Sequence, residues 1–436
     1  VVMVDDPRPL GAVGARVTVR SHGRLLTATA HGPTAGRLDD ALAGERARLV
    51  GTIRPVPTAD SAARWRHVVG RITVDEVAGR ARGSPVTLWA NAVRRTLGRG
   101  ADGLDRGDRA VFLGMVIGDD RGQTPVVADD FRAAGLGHLL VVSGQNVAFV
   151  LAVVAPVVGR WRPAGGLVGF GVVLAGFALL TRFEPSVLRA VAMAGAGIGA
   201  ATFGRPIDGR RALSWAIAGV VAVDPFLVHR VAFQLSVAAT AGIVWWSAPL
   251  ADRLVGPRWL RVPFATTAAA QLGVAPVLLA VFGPTPLATL PANLAAGPVS
   301  GAVMIWGCTA GLVAGLAGGF TADLLHLPTR AMLWWIGGVA SVASRGPQAT
   351  VGVGGVILLG GAALAAVSGR PRVRVAAAGG AGVTNAVAVA PAPKLAPGPT
   401  LLGSGATVWV GDGSAALVLD DPSSPRALLE ELRRAG

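Results

Sequence analysis

Residues 136–151, Leu-Gly-His-Leu-Leu-Val-Val-Ser-Gly-Gln-Asn-Val-Ala-Phe-Val-Leu, decide the fold of this 436-residue chain. The stretch is apolar enough to enter a bilayer, yet it carries His138, Ser143, Gln145 and Asn146 close together. Placing a polar group against lipid without a hydrogen-bond partner costs on the order of several kcal/mol. The pattern therefore predicts an internal face, a cavity or a break in the helix. Hydrogen bonds that serve only the packing of neighbouring helices are the alternative.

The composition around this stretch is that of a polytopic membrane protein. Hydrophobic residues make up 52% of the chain and charged residues 15%, and the mean hydropathy is +0.55. These values exclude an ordinary soluble enzyme. The net charge of +15 comes almost entirely from arginine and suits anionic lipid head groups or a polyanionic ligand. One cysteine, Cys308, excludes an intramolecular disulfide and a multi-cysteine metal site, and residues 1–20 lack the apolar core of a signal peptide.

Residues 1–90 are predicted to form a soluble, all-β domain. Alternating or β-branched runs at 15–20, 25–29, 46–53 and 67–74 are separated by Gly, Pro and Asp clusters. Short strands at this spacing suit a small barrel of the oligonucleotide-binding (OB) type. Arginines on such strands can track a phosphate backbone, and a tryptophan can stack on a base. The candidates are Arg16, Arg20, Arg48, Arg54, Arg64, Trp65, Arg66 and Arg71. For each arginine, an ordinary solvated barrel face is the alternative.

Residues 91–135 are predicted to form short amphipathic helices at the membrane interface. Two acidic pairs, Asp119–Asp120 and Asp129–Asp130, lie in this segment. They carry the oxygen ligands that a cation prefers. Helix caps and loop charges are the favoured alternative.

Apolar segments then follow in quick succession and predict a polytopic helical core over residues 136–369. The predicted spans are 137–158, 164–180, 186–203, 212–223, 231–250, 264–282, 287–317, 330–344 and 351–368. Pro291, Asn293 and Pro298 predict a broken or re-entrant helix within 287–317. Broken helices at membrane depth are tolerated where they line protein or water.

The charges of the loops predict the orientation of these spans. Loops that are rich in arginine alternate with loops that carry fewer basic groups, and the arginine-rich side of a membrane protein is the cytoplasmic side. The arginines concerned are Arg160, Arg162, Arg205, Arg210, Arg211, Arg253, Arg258 and Arg261. We therefore expect the β domain outside the cytoplasm.

The C-terminal part is predicted to be a linker and a small remnant of a domain. Residues 370–405 form an Ala/Gly/Pro-rich tract typical of a flexible linker. Residues 406–436 are expected to form a short α/β unit, with strands at 406–410 and 415–419 and a helix at about 425–434.

Four segments of the core resemble one family in the same order. Residues 138–147 resemble the His-Leu-Leu-x-x-Ser-Gly-x-x-Val motif of the ComEC family, the polytopic membrane channels of natural competence that admit single-stranded DNA into bacteria. The other matching segments are Ser-x-x-Arg-Ala at 186–190, Asp-Pro at 224–225 with Phe-Gln-Leu-Ser at 233–236, and Gln-Leu-Gly at 271–273 with Phe-Gly at 282–283 and Asn-Leu at 293–294.

The resemblance implies a multi-pass channel in the bacterial inner membrane that passes single-stranded DNA into the cytoplasm. It also implies a DNA receptor protein and a cytoplasmic ATP-driven translocase as partners. A homo-oligomer is compatible with it. The fold implied is a polytopic α-helical membrane protein with an N-terminal OB-like domain. A small-solute permease and a non-conducting scaffold left after loss of competence are the alternatives.

Polar residues of the matching segments are the candidates for the pore. They are His138, Ser143, Gly144, Asn146, Arg189, Gln234, Ser236, Gln271 and Asn293. Each of six of these side chains would be costly against lipid, and we expect the six to converge on one internal polar path near mid-membrane. They are His138, Ser143, Asn146, Arg189, Gln234 and Asn293. Snorkelling to the interface is the alternative for Arg189, and interhelical hydrogen bonding is the alternative for Gln234 and Ser236.

One feature of many ComEC proteins is absent from the sequence. These proteins end in a metallo-β-lactamase-like domain with a His-x-His-x-Asp-His zinc motif, whereas no two of the six histidines here lie within four positions. We therefore predict no nuclease activity, no metal and no cofactor. The sequence also has no Gly-rich phosphate loop with lysine, so translocation energy is expected from a partner.

Overall fold

A computed structural model describes residues 1–345, except 11–12, 40, 58–59, 61–62, 64–65 and 284, together with four short pieces at 350–351, 398–401, 406–411 and 414–419. Three predictions fall wholly or almost wholly outside the described residues. They concern the last span at 351–368, most of the linker at 370–405 and the helix at 425–434.

The N-terminal region folds into a six-stranded mixed sheet. Its strands are β1 (Val2–Met3), β2 (Arg8–Leu10), β3 (Gly14–Ser21), β4 (Arg24–His31), β5 (Arg46–Pro55) and β6 (Val68–Ala81). Strand β4 is antiparallel to β3 and parallel to β6, and β6 is antiparallel to β5. Because β1 pairs with both β3 and β5, the pairing closes into a ring of five strands. The four predicted strand runs coincide with β3 to β6.

The interior of the sheet is built from alternate strand positions, as the two-residue period requires. Ala15, Val17 and Val19 on β3 are at most 2% exposed. Helix α1 (Pro33–Asp39), which the sequence did not predict, contacts β3, β4 and β6 and buries Leu38 completely.

Three short helices connect the sheet to the core: α2 (Pro85–Gly100), α3 (Arg106–Ile117) and α4 (Pro125–Ala133). The hydroxyls of Ser84 and Thr124 cap α2 and α4, each followed by a proline. Helix α3 differs from the predicted interfacial helix, because every residue from 110 to 117 is buried. Its apolar sequence allows it to pack against two later helices of the core, α11 and α13.

The core contains nine further helices within the described residues. They are α5 (Gly144–Val158), α6 (Pro163–Leu180), α7 (Pro185–Thr202), α8 (Gly209–Val223), α9 (Val231–Arg253), α10 (Arg258–Phe282), α11 (Thr289–Ala317), α12 (Gly319–Leu325) and α13 (Leu327–Arg345). Four of them, α6, α9, α10 and α11, are long and apolar enough to cross a membrane. A mixed sheet region and a helical, membrane-type core therefore make up the fold.

Helix α11 corrects one prediction. It runs without a break from Thr289 to Ala317, so the predicted break near Pro291 and Asn293 is wrong. Its irregularity is a π turn at Gly307–Gly311, where the missing side chain of Gly307 makes room for the ring of Phe112. Close packing of small residues against α3, which the sequence alone does not reveal, keeps this long helix continuous.

Five helices of the core form a ring in which each contacts the next, in the order α5, α7, α9, α10 and α11 and back to α5. Short connections make successive helices antiparallel. The loops 159–162, 203–208 and 254–257 therefore lie at one end, and the loops 181–184 and 224–230 lie at the other.

The sheet domain contacts the second set of loops. Arg182 in loop 181–184 pairs with Asp6 at 2.8 Å, and Asp224 in loop 224–230 lies 3.4 Å from His67. The arginine-rich loops are thus at the end of the core that is remote from the sheet.

The C-terminal strands form a separate small sheet. Strands β10 (Ala406–Gly411) and β11 (Ser414–Leu419) are antiparallel and match the two predicted strands. Strand β9 (Gly398–Leu401) pairs with β10 and lies inside the range 370–405 that was predicted as linker. The short strands β7 (Thr285–Pro286) and β8 (Thr350–Val351) form an antiparallel pair.

Candidate functional site

Residues 136–151 form an interrupted helix entry. Gly137–Leu140 make a 3-10 turn, the chain is extended at Val141, and α5 begins at Gly144 with Ser143 as its N-cap residue. Gln123 donates a hydrogen bond of 2.7 Å to the carbonyl of Leu140 and so pairs an exposed backbone group of this turn. The polar residues thus lie just before α5 and in its first turn.

A small cavity opens at this helix entry. Its polar lining residues are His138, Ser143, Gln145, Asn146 and Ser300, and the other lining side chains are apolar. The hydroxyl of Ser143 donates to the Asn146 carboxamide oxygen at 3.2 Å, and the Asn146 amide donates to the carbonyl of Met115 at 2.9 Å. Three predicted pore residues therefore share one polar pocket with Ser300 of α11, a residue that the sequence analysis missed.

Arg189 lies beside this entry and is only 6% exposed. Its Nε donates to the hydroxyl of Ser236 on α9 at 2.8 Å, and its Nη1 lies 3.0 Å from the sulfur of Met193. A Cβ added at Gly144 would overlap the Nη2 of Arg189, so the guanidinium lies directly against the first turn of α5. The structure brings together Gly144, Arg189 and Ser236 from three neighbouring helices of the ring.

Gln234 has a local partner, whereas Asn293 has one local partner and one distant partner, the carbonyl of Gly135 at 3.5 Å. Gln234 donates to the carbonyl of Val228 at 2.8 Å, and Asn293 donates to the carbonyl of Thr289 at 2.7 Å. Gln271 is half-buried near the middle of α10. Each of the five ring helices carries at least one candidate, but hydrogen bonds in the described residues do not link Gln234, Gln271 or Asn293 to Arg189.

The residues of the cluster lie near the starts of their helices. Ser143 and Asn146 lie in the first turn of α5, Arg189 is the fifth residue of α7, and Ser236 is the sixth residue of α9. A helix rises about 1.5 Å per residue, so the cluster lies within about 10 Å of the helix starts. Helix α5 begins at Gly144, seven residues later than the predicted span.

The carboxylates of both acidic pairs bind nearby arginine or serine side chains. Asp119 accepts two hydrogen bonds from the side chain of Arg121, at 2.8 and 2.6 Å, and one from its backbone N–H at 3.3 Å, and Asp120 lies 3.3 Å from Arg8. The partners of the second pair are Arg132 for Asp129 and Ser344 for Asp130. No group of three His, Cys, Asp or Glu side chains suited to a metal ion occurs among the described residues. These contacts favour structural charges over a cation site.

The arginine candidates of the sheet lie on its exposed outer face. Arg54 and Arg71 are cross-strand neighbours, and the register continues from Arg71 to Thr27 on β4. Arg16 lies on the adjacent row, which passes through Thr29. Arg71 also pairs with Asp60 at 2.7 Å. Arg20, Arg48 and Arg66 are exposed as well, whereas Arg64 and Trp65 lie outside the described residues.

A buried ionic junction that the sequence analysis missed joins the sheet to the helices. Arg94 of α2 donates to Asp6 at 2.8 Å and to the carbonyls of Ile117 and Leu180 at 2.7 and 2.9 Å. Arg182 adds two hydrogen bonds to the same carboxylate, at 3.2 and 2.8 Å. No sequence pattern pairs residues that are 176 positions apart, so only the fold reveals this junction.

The charge of Asp6 depends on these two arginines. Burial alone would raise the pKa of this carboxyl, but the neighbouring Arg94 and Arg182 outweigh burial and lower the pKa to about 2. Asp6 is therefore ionised at neutral pH and forms one buried, charge-assisted network with both arginines.

Comparison with known proteins agrees with this architecture. The family model described as "Competence protein" matches residues 115–369. The chain is 26% identical over 253 residues to the uncharacterized protein YcaI of Escherichia coli (strain K12), and this alignment covers 52% of the chain and 32% of YcaI. The chain thus spans about a third of the length of this relative. No solved structure matches the chain.

The match covers more than half of the chain and includes α5 to α13, together with the helix entry and the buried Arg189. The chain belongs to the competence protein family.

Proposed function

We propose that this protein is a multi-pass channel of the bacterial inner membrane that passes single-stranded DNA into the cytoplasm during natural transformation. The observation that carries the proposal is the ring of α5, α7, α9, α10 and α11, because every helix in it presents a polar residue from a family segment. Polar side chains within a membrane are costly unless they are paired with protein groups or face a solvated path.

Charge supports a polyanionic substrate. Arg189 contributes a buried positive charge to the ring. A water-filled path that carries a fixed positive charge favours anions over cations. A permease for neutral solutes gives no reason for such a charge, so the DNA channel is preferred.

The sheet domain fits the role of a receptor for the incoming strand. The pairing that closes through β1, the parallel β4–β6 pair and the helix α1 between β4 and β5 support an OB-like barrel. Its exposed rows of arginine and threonine are suited to phosphate contacts. In this proposal the chain acts with a DNA receptor protein, a cytoplasmic ATP-driven translocase and the lipid bilayer.

The proposal is tested by uptake of fluorescently labelled DNA into cells with and without this gene. We expect surface-bound DNA in both strains and DNA protected from added nuclease only in the strain that carries the gene. Equal protection in both strains would contradict a channel function and favour the scaffold. Loss of uptake of a small solute, with DNA uptake unchanged, would favour the permease.

A second prediction concerns the two ends of the core. Cysteines at Arg210 and Arg258, in a Cys308→Ala background, are expected to react with an impermeant reagent only from the cytoplasm. A cysteine at Arg54 is expected to react only from outside, because the sheet contacts the opposite set of loops. Labelling of position 54 from the cytoplasm alone would reverse the proposed orientation.

A third prediction concerns the sheet. The full chain in lipid nanodiscs is expected to bind a single-stranded oligonucleotide without sequence preference, more weakly as salt rises. Replacing Arg16, Arg54 and Arg71 together by glutamine should flatten the plot of log affinity against log salt by about 0.7 for each phosphate that is no longer neutralised.

Arg37→Gln is the matched control, because Arg37 is exposed on α1 and not on the strand rows. An unchanged slope in the triple variant would show that the strand arginines form an ordinary solvated face. The full chain is needed because a separated sheet domain would leave Asp6 without Arg94 and Arg182.

A further inference from the structure

A second cavity, of about 130 Å³, lies between α3, α4 and α13. Most of its wall is apolar and is formed by Val111, Val127, Phe131, Leu333 and Ala340. The other lining residues are two glycines and two aspartates, namely Gly107, Gly337, Asp108 and Asp130. The volume is close to the ~150 Å³ of an engineered protein cavity that binds benzene, so a ligand of about six non-hydrogen atoms fits.

Two of the helices around this cavity contribute a glycine to its wall. A Cβ built at Gly107 or at Gly337 would have no atom within 4 Å, so a larger side chain has room at either position. Gly337 lies in the interior of α13, where glycine is about 1 kcal/mol less favourable than alanine. Gly307 of α11 carries the same cost, but there a Cβ would lie 2.6 Å from Val116. Close packing therefore explains Gly307 but not Gly337, whose missing side chain leaves the cavity wider.

Asp108 brings a negative charge into this mainly apolar cavity. Its carboxylate has no hydrogen bond or ion pair with another residue in the part of the chain that the structure describes. Burial raises the pKa of Asp108, Asp105 raises it further, and Arg330 offsets only part of the change. Asp130 adds a second carboxylate from α4, which accepts a hydrogen bond from the hydroxyl of Ser344 at 3.1 Å.

Carboxylates together with an apolar wall select the class of ligand. The carboxylates favour a cation, and an ammonium group donates N–H bonds to such oxygens. A metal ion fits less well, because Ca²⁺ takes about six to eight oxygen ligands, whereas most of this wall is hydrocarbon. A short hydrocarbon chain attached to the cation would bury its apolar surface against that wall.

We infer that this cavity binds an aliphatic ammonium ion, with its charged group beside Asp108 and its hydrocarbon chain against the apolar wall. Asp130 contributes the second carboxylate. The inference is independent of the proposed DNA channel, because the lining residues lie on α3, α4 and α13 and not on the ring of α5, α7, α9, α10 and α11. A small free amine and the ethanolamine head group of a lipid both supply this chemistry.

The test is thermal unfolding of the full chain in detergent, with n-butylammonium chloride compared with sodium chloride at the same concentration. A ligand that binds only the folded protein raises its melting temperature by mass action. We expect n-butylammonium to raise the melting temperature by a few degrees at about 100 times its dissociation constant. Sodium chloride and the neutral n-butanol should cause no rise. An equal rise with sodium chloride or with n-butanol would overturn the inference.

Two pairs of variants locate the site. Asp108→Asn should weaken n-butylammonium binding about tenfold or more, whereas Asp102→Asn, an exposed aspartate outside the cavity, should leave it unchanged. Gly337→Leu should fill the cavity and abolish the response while the chain still folds, because there is room for its Cβ. Gly338→Leu is the matched control, since residue 338 has the same room but does not line the cavity. An undiminished response in Asp108→Asn or in Gly337→Leu would show that the amine binds elsewhere.

A last comparison distinguishes the two sources of the ammonium group. Phosphatidylethanolamine is added to the micelles in place of n-butylammonium, and phosphatidylglycerol, which has no amine, is the control. A rise with phosphatidylethanolamine that Asp108→Asn abolishes would identify the lipid head group as the ligand. A rise with n-butylammonium alone would identify a small amine. A lipid response that is the same in Asp108→Asn, or the same with phosphatidylglycerol, would exclude the head group from the cavity.

Discussion

Replacing Asp6 with asparagine is expected to lower the free energy of unfolding by about 3–5 kcal/mol, the largest loss of stability that the structure predicts. Asp6 is the common acceptor of Arg94 and Arg182, and it also accepts from the backbone N–H of Ala43 at 2.9 Å. Without its negative charge, Arg182 loses its ion pair, and the almost fully buried Arg94 keeps only the more distant Asp119, at 3.5 Å. Thermal unfolding of the full chain in detergent measures the loss.

The effect should include separation of the sheet from the helices. Asp6 is in the sheet domain, whereas Arg94 is on α2 and Arg182 is in a loop of the core. We therefore expect limited proteolysis to cleave Asp6→Asn between the sheet and α2 faster than it cleaves the wild type. Asp75→Asn is the control, because Asp75 is an exposed residue of β6 and its carboxylate is outside the junction. Equal losses in the two variants would contradict a special role of the junction.

The same carboxylate predicts how stability depends on pH. Its pKa is about 2 in the folded protein, against 3.8 for an ordinary aspartate. A group whose pKa is lower in the folded state adds stability above its unfolded pKa and loses it as the pH falls towards the folded pKa. We expect this contribution to be complete above about pH 4 and to disappear between about pH 4 and pH 2. Asp6→Asn should remove that part of the acid dependence.

The sequence predicted the features that depend on local pattern. The strands β3 to β6 follow from alternation, and the interrupted entry of α5 follows from polar residues in an apolar stretch. The burial of α3 was missed, because its apolar residues are compatible with either an interface or a core. The continuity of α11 was missed because proline was given more weight than the packing that Gly307 permits.

The candidate site could be predicted only in part, because several of its contacts join residues that are far apart in the sequence. Arg189 was identified from its motif, but its hydrogen bond with Ser236 joins residues 47 positions apart. The absence of a carboxylate partner in the described residues could not be read from the chain, since Glu184 lies only five residues before it. The junction of Asp6 with Arg94 and Arg182 likewise depends on how the sheet is placed on the core.

The second large effect is expected in the passage of DNA. Arg189→Ala should reduce uptake of labelled DNA by about 10- to 100-fold, the equivalent of one charge-assisted hydrogen bond of about 1.5–3 kcal/mol. Membrane insertion should be unchanged, because the residue contributes charge to the ring rather than apolar surface. Uptake by cells with equal amounts of membrane-inserted protein is the measurement. Thr202→Val, at the opposite end of the same helix, is the control.

Asn146→Leu and Gln234→Leu are expected to reduce DNA uptake less than Arg189→Ala does. Asn146→Leu leaves the carbonyl of Met115 without its donor and removes a polar wall of the cavity, so a clear loss of uptake is expected. Gln234 donates to Val228 six residues earlier in the chain, so Gln234→Leu should cost less. Wild-type uptake in all three variants would refute the polar path through the ring and favour the scaffold. A Gln234→Leu defect as large as that of Arg189→Ala would show that the path also passes the start of α9.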